Sequence, residues 1–123
     1  MLRISFHIIN IILIIFYLYP GSILGCVFYK DCNIQPNLTP DFIISSNHFY
    51  AFLLFGLLAL IAFSKELKKI IIYIIFISIF LEYTHLFIPN RSFEIPDLFG
   101  NLMGVIMIMI IIYLFKKNEN IKN

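Results

Sequence analysis

The residues of this chain that could do chemistry are few: His48, Glu82, His85, Arg91, Asp97 and the amide of Asn101. Glu82 and His85 stand three apart, so on a helix their side chains share a face. Asp97 and Asn101 stand four apart and do the same at the start of a later helix. Between the two pairs, Ile88-Pro89-Asn90-Arg91-Ser92 reads as a turn that holds Arg91 near both carboxylates. A carboxylate left alone in hydrocarbon costs several kcal/mol, whereas a guanidinium satisfies it with two parallel hydrogen bonds. An ion pair of Arg91 with Glu82 or Asp97 is therefore expected. Three chemistries fit such a set. Arg91 could grip an anionic headgroup, with Glu82 and Asp97 orienting it and His48 or Asn101 donating hydrogen bonds. Glu82 or His85 could act as a general base. His48, Glu82, His85 and Asp97 could hold zinc or manganese, but Glu-x-x-His with an isolated His and Asp is a loose pattern, and a nearby Arg91 opposes a cation. No metal or other cofactor is assigned.

The elements that must position these residues are apolar helices. Of the 123 residues 61% are hydrophobic and 13% charged, and the mean hydropathy is +0.95; a soluble domain carries about 25% charged residues. Four apolar runs, of the roughly 20 residues that cross a ~30 Å hydrocarbon core, leave only short loops. The expectation is one all-α domain over 1–123, a four-transmembrane-helix bundle with helices at about 4–22, 45–63, 69–88 and 97–115. The first run could extend across Gly21 to Cys26 and the second back to Phe42, Ile43 and Ile44. No room remains for a nucleotide-binding fold or other large soluble module. The net charge of +2, with no basic run, argues against nucleic acid as a partner.

Orientation follows from Lys and Arg, which stay on the cytoplasmic side in short loops. Arg3, Lys65, Lys68, Lys69, Lys116, Lys117 and Lys122 lie on one side, Lys30 and Arg91 on the other. Both termini are expected in the cytoplasm, with the loops Pro20–Asn47 and Pro89–Asp97 outside. Ile23-Leu24-Gly25-Cys26 after an apolar stretch is similar to a lipoprotein signal, but Leu24 is bulky for a position usually small, and an uncleaved first helix is expected. Cys26 and Cys32 share the outer loop, and their spacing leaves a disulfide and two separate thiols both open. Gly100 and Gly104 form a Gly-x-x-x-Gly step around Asn101 that would let a neighbouring helix backbone approach the polar residues. Tyr17, Tyr19, Tyr50, Tyr83 and Tyr113, near span ends, read as an interfacial belt without functional meaning.

The stretch Glu82-Tyr-Thr-His85-Leu-Phe-Ile-Pro89-Asn-Arg91-Ser-Phe-Glu-Ile-Pro-Asp97-Leu-Phe-Gly-Asn101-Leu-Met-Gly104 resembles the signature of the VanZ-like family, which runs Glu, a polar residue three on, Arg, Asp, then Asn and Gly at these spacings. His48-Phe49-Tyr50-Ala51-Phe52 resembles the family's His-Phe element opening the second helix, and Tyr19-Pro20-Gly21 its segment after the first. Two positions depart: His85 stands where the family often has Gln, and Ile44 and Ser45 where it often has Asp-Lys. The second departure puts in doubt any role needing a charged pair beside His48.

The resemblance implies a small helical integral membrane protein of the bacterial cytoplasmic membrane, of a type named for a member that raises resistance to teicoplanin. It carries no established reaction with it. The matching positions, His48, Glu82, His85, Arg91, Asp97, Asn101 and Gly104, include the residues chosen above on charge and spacing. Three functions are therefore weighed: binding of a membrane lipid or lipid-linked cell-envelope precursor at the outer face, a membrane-embedded enzyme, and a structural or accessory protein whose polar cluster only locks the bundle. Whether the chain is an enzyme, and its oligomeric state, are left open by the sequence.

Overall fold

The computed structural model describes residues 1–122, with side chains through Asn118. It contains five helices: α1 (Leu2–Leu18), α2 (Ile23–Tyr29), α3 (Ser46–Ala62), α4 (Leu67–Thr84) and α5 (Ile95–Lys122). No strand occurs among the described residues. The helices follow from Ile- and Leu-rich runs; the breaks after α1 and after α4 fall at Pro20-Gly21 and Pro89-Asn90, and that between α3 and α4 at the polar Ser64-Lys65-Glu66.

The break after α1 corrects one expectation, because the first helix does not continue to Cys26. Pro20 cannot donate a helical hydrogen bond, and Gly21 takes φ +111°, a left-handed value that side chains disfavour. The chain turns by 82° into α2, whose first turn is capped by Ser22 Oγ accepting from the Gly25 N–H at 2.9 Å. Cys26 and Cys32 are joined by a disulfide, which ties the middle of α2 to the loop after it. Nor does α3 reach back to Phe42: it starts at Ser46, where the Asp41 carboxylate accepts from the Ser46 N–H at 2.8 Å. Phe42 and Ile43 remain in the loop, fully exposed.

Cross-contacts give the packing. Phe6 stacks on Phe55 and meets Phe63, while Tyr17 meets His48, so α1 and α3 run antiparallel. Asn10 Nδ2 donates to the Tyr73 hydroxyl at 2.6 Å and Tyr17 stacks on His85, so α1 and α4 run parallel. α3 and α5 also run parallel and pack backbone to backbone. A Cβ on Gly100 would lie 2.6 Å from the Ser45 carbonyl oxygen, and one on Gly104 would lie 2.7 Å from that of Phe49. The Gly-x-x-x-Gly step is thus where these two helices approach most closely. The four long helices alternate in direction, which puts the start of α1, the α3–α4 turn and the end of α5 at one end of the bundle. Arg3, Lys65, Lys68, Lys69, Lys116 and Lys117 fall at that end, and Lys30 and Arg91 at the other. The side chain of Lys122 lies outside the described residues.

The core is Phe6, Phe52, Phe55, Ala59, Ile70, Ile74, Ile77, Leu81 and Val105. Equally telling is what the bundle leaves outside. Ile4, Ile8, Ile11 and Ile15 on α1, and Ile72, Phe76, Phe80 and Tyr83 on α4, are exposed. A soluble monomer rarely presents apolar patches of such extent. α5 is long and apolar enough to cross a membrane over Ile95–Asn118, and α1 with α2 passes the same test only if the bent pair counts as one span.

Candidate functional site

At the end of the bundle opposite the termini, α1, α3, α4 and α5 each send a polar side chain inward. α5 opens with Ile95-Pro96, the proline fitting a first helical turn that needs no donor there, and Asp97 follows where the helix dipole favours an anion. One turn on, Asn101 is fully buried between Gly100 and Gly104, the two residues that let α3 come close. Its Nδ2 donates to the Ser78 carbonyl of α4 at 3.0 Å, which fixes Oδ1 as the atom facing α1 and α3. Tyr17, 5% exposed, donates its hydroxyl proton to that Oδ1 at 2.6 Å. His48 Nδ1 lies 3.0 Å from the Tyr17 oxygen and 3.1 Å from Asn101 Oδ1. One proton arrangement satisfies all three groups: Tyr17 donates to Asn101, and a protonated Nδ1 of His48 donates to the two oxygens. That leaves His48 Nε2 turned toward Asp97 Oδ2, 3.4 Å away.

Glu82, on α4, is completely buried. Its Oε1 accepts from the Glu94 backbone N–H at 3.2 Å and faces His85 Nδ1 at 3.2 Å. His85, 2% exposed, has its other nitrogen 3.1 Å from the Tyr17 carbonyl oxygen, an acceptor only, so Nε2 must be the donor. The other ring nitrogen, Nδ1, is the one that faces Glu82. Glu82 Oε2 has no hydrogen-bond partner and lies 3.7 Å from His48 Nδ1.

The expected ion pair of Arg91 with Glu82 or Asp97 does not form: among the described residues no carboxylate lies within salt-bridge distance of Arg91. Asn90 adopts a left-handed conformation, φ 59°, and Arg91 Nη2 donates at 3.3 Å to the Phe16 carbonyl of α1. The cause is at the end of α1, whose last carbonyls have no partner within the helix. Arg91 takes Phe16 and His85 takes Tyr17, while Glu82 has already been filled on one oxygen and sealed from the surface. The carboxylates face histidines instead. His48, Glu82, His85, Asp97 and Asn101 are thus brought together, and Arg91 stands at the rim. Gly100 and Gly104 lie against α3 beneath them.

Tyr17, read from the sequence as interfacial filler, is the hub of the cluster. A signal for it existed. Phe6, Asn10, Leu13 and Tyr17 recur at helical spacing, so the polar Asn10 marked the inward face of α1 and Tyr17 lay on the same stripe.

A model of the VanZ/LLP1 family matches residues 4–116, nearly the whole chain. The chain belongs to the VanZ/LLP1 family. The match takes in every residue of the cluster and the Gly-x-x-x-Gly step beneath it. No curated protein and no solved structure matches the chain. VanZ-family membership, together with an apolar helix long enough to span a bilayer, suggests a membrane protein. In this VanZ-like protein Glu82, Arg91, Asp97 and Asn101 come to one end of the bundle, where α1 adds Tyr17 and α3 adds His48.

Proposed function

We propose that this VanZ-like protein lies in the bacterial cytoplasmic membrane with four spans and both termini inside, and binds or acts on an anionic lipid or lipid-linked cell-envelope component at its outer face. What carries the reading is Arg91. It stands at the rim of a buried polar cluster, its guanidinium is not neutralised by any described carboxylate, and its Nε atom is buried without a partner. A cation so placed suits a phosphate headgroup, which it can bind through paired N–H donors. Apolar surface for acyl chains adjoins it: Phe16, whose carbonyl it touches, and the Tyr83–Phe87 pair are exposed beside the same turn. Altered susceptibility to teicoplanin-type glycopeptides would follow if the bound component belongs to envelope synthesis. Glu82 and His85, 3.2 Å apart, are the pair that would offer acid–base chemistry to a ligand so held.

The test is thermal unfolding of delipidated protein in detergent with added phosphatidylglycerol or phosphatidylcholine. A ligand that binds only the folded state at one hundred times its Kd stabilises by about 2.7 kcal/mol. Phosphatidylglycerol is expected to raise the melting temperature of the wild type and to lose that effect in Arg91→Ala. An equal response to both lipids, or an unchanged response in Arg91→Ala, would contradict an Arg91 headgroup site.

A further inference from the structure

We propose that His48, Glu82 and Asp97 form a three-ligand site for a divalent transition-metal cation of the zinc or manganese class. The inference stands on the geometry of these three side chains and does not depend on the lipid reading.

Three electron-pair donors from three helices converge without a positive group among them. One nitrogen of His48 and one carboxylate oxygen each from Glu82 and Asp97 lie within 4.8 Å of one another. Ligands about 2.0–2.2 Å from a common ion at tetrahedral angles stand roughly 3.4 Å apart; His48 Nε2 and Asp97 Oδ2 are at 3.4 Å, and Glu82 closes on them to complete the site. Glu82 supplies the decisive observation. It is wholly buried, its Oε1 accepts from the Glu94 N–H and faces His85, and its Oε2 has no hydrogen-bond partner and lies 3.7 Å from the His48 ring at Nδ1. A buried carboxylate oxygen without a partner calls for one, and a cation is among the groups that supply it.

His48 is prepared for the same role by its other nitrogen. With Nδ1 beside the Tyr17 and Asn101 oxygens, Nε2 is the nitrogen that faces Asp97 Oδ2, 3.4 Å away, and in the neutral imidazole it is the one free to ligate. Metal-binding histidines characteristically donate their second N–H in this manner, and the partner is itself held, here by Asn101 Nδ2 on the Ser78 carbonyl. His85 is excluded, since its Nε2 is committed to the Tyr17 carbonyl and its Nδ1 to Glu82. The chemical objection from Arg91 also falls away, because Arg91 is directed to the end of α1 rather than to the carboxylates. Two carboxylates and a divalent ion sum to zero charge, the arrangement a low-dielectric bundle end tolerates best. One imidazole and two carboxylates suit zinc or manganese, and three protein ligands leave a coordination position facing the rim. His48 and Asp97 are partly exposed, with side chains at 15% and 21%, which gives the ion a way in.

The probe is the metal alone. Full-length protein is stripped with EDTA in detergent and titrated calorimetrically with ZnCl2 or MnCl2. One equivalent per chain is expected, weakened at least tenfold in Asp97→Asn and in His48→Ala and unchanged in His7→Ala, a histidine at the opposite end of α1. Absence of binding, or binding that survives both site variants, overturns the proposal. Should those variants fail to fold, pulsed electron paramagnetic resonance on manganese-loaded His7→Ala protein decides. A histidine-nitrogen coupling to the ion supports the site; no bound ion, or a bound ion without that coupling, overturns it.

Discussion

Removing one oxygen atom tests whether Tyr17 holds the cluster together. In Tyr17→Phe the ring remains, so its stacking on His85 and its contact with Phe52 are kept. The hydroxyl's bond to Asn101 at 2.6 Å and its contact with His48 at 3.0 Å are lost. Asn101 Oδ1 keeps His48 Nδ1 as a donor at 3.1 Å, so no buried acceptor is orphaned. The cost should therefore be that of the interhelical hydrogen bonds alone, about 1 kcal/mol given an average near 0.6 and a maximum near 1.7 in membrane helices. Asn101→Ala should cost more, about 3 kcal/mol, since it strips the Tyr17 hydroxyl of its acceptor, breaks the bond to Ser78 and opens a cavity. Because both changes remove the same bond, the double variant should be less destabilised than the sum, with a coupling of about 1 kcal/mol. The assay is reversible unfolding of the four proteins in mixed micelles. Strict additivity, or a Tyr17→Phe protein as stable as wild type, would refute the hub role.

Gly100→Ala should destabilise by about 1–3 kcal/mol, because its Cβ would meet backbone at Ser45 and the start of α3 must move; melting temperature in detergent reports it. The same displacement should shift His48 against Asp97, whereas Gly56→Ala, farther along α3 and opposed by the Ile108 side chain of α5, should lower stability without that effect on ligand binding. Protein denatured without reductant should take up no maleimide, and two equivalents per chain after reduction, since Cys26 and Cys32 are paired. In intact cells Ser92→Cys should be labelled by a membrane-impermeant maleimide and Lys117→Cys only after lysis; the reverse pattern would invert the proposed orientation. Arg3→Ala should change stability by no more than about 0.5 kcal/mol, because its 2.9 Å ion pair with Glu66 is exposed.

Much of this was legible in the residues, for reasons that can be named. Long Ile- and Leu-rich runs of about 20 residues point to membrane-length helices, and Gly100 and Gly104 flank Asn101 at a spacing that permits close helix packing. The i, i+3 and i, i+4 spacings placed Glu82 with His85 and Asp97 with Asn101. What the sequence could not supply was the helix order around the bundle, since uniformly apolar spans carry little periodic signal. That order decides that α1 delivers Tyr17 into the cluster and presents its terminal carbonyls to Arg91 and His85. The Arg91 pairing expected from charge and spacing does not form because the competing acceptor is a backbone carbonyl of α1, 75 residues away in sequence. The bend at Pro20-Gly21 was marked in the sequence, but apolar continuity through Ile23 and Leu24 masked it.

Native mass spectrometry of gently solubilised protein, wild type beside Arg91→Ala, addresses the proposed headgroup site most directly. A specific anionic lipid or lipid-linked precursor is expected to stay with the wild type, identify itself by mass, and be lost from a folded Arg91→Ala. Bare protein in both cases, or the same lipid retained by both, would contradict a headgroup site at Arg91 and leave the polar cluster as a lock for the bundle.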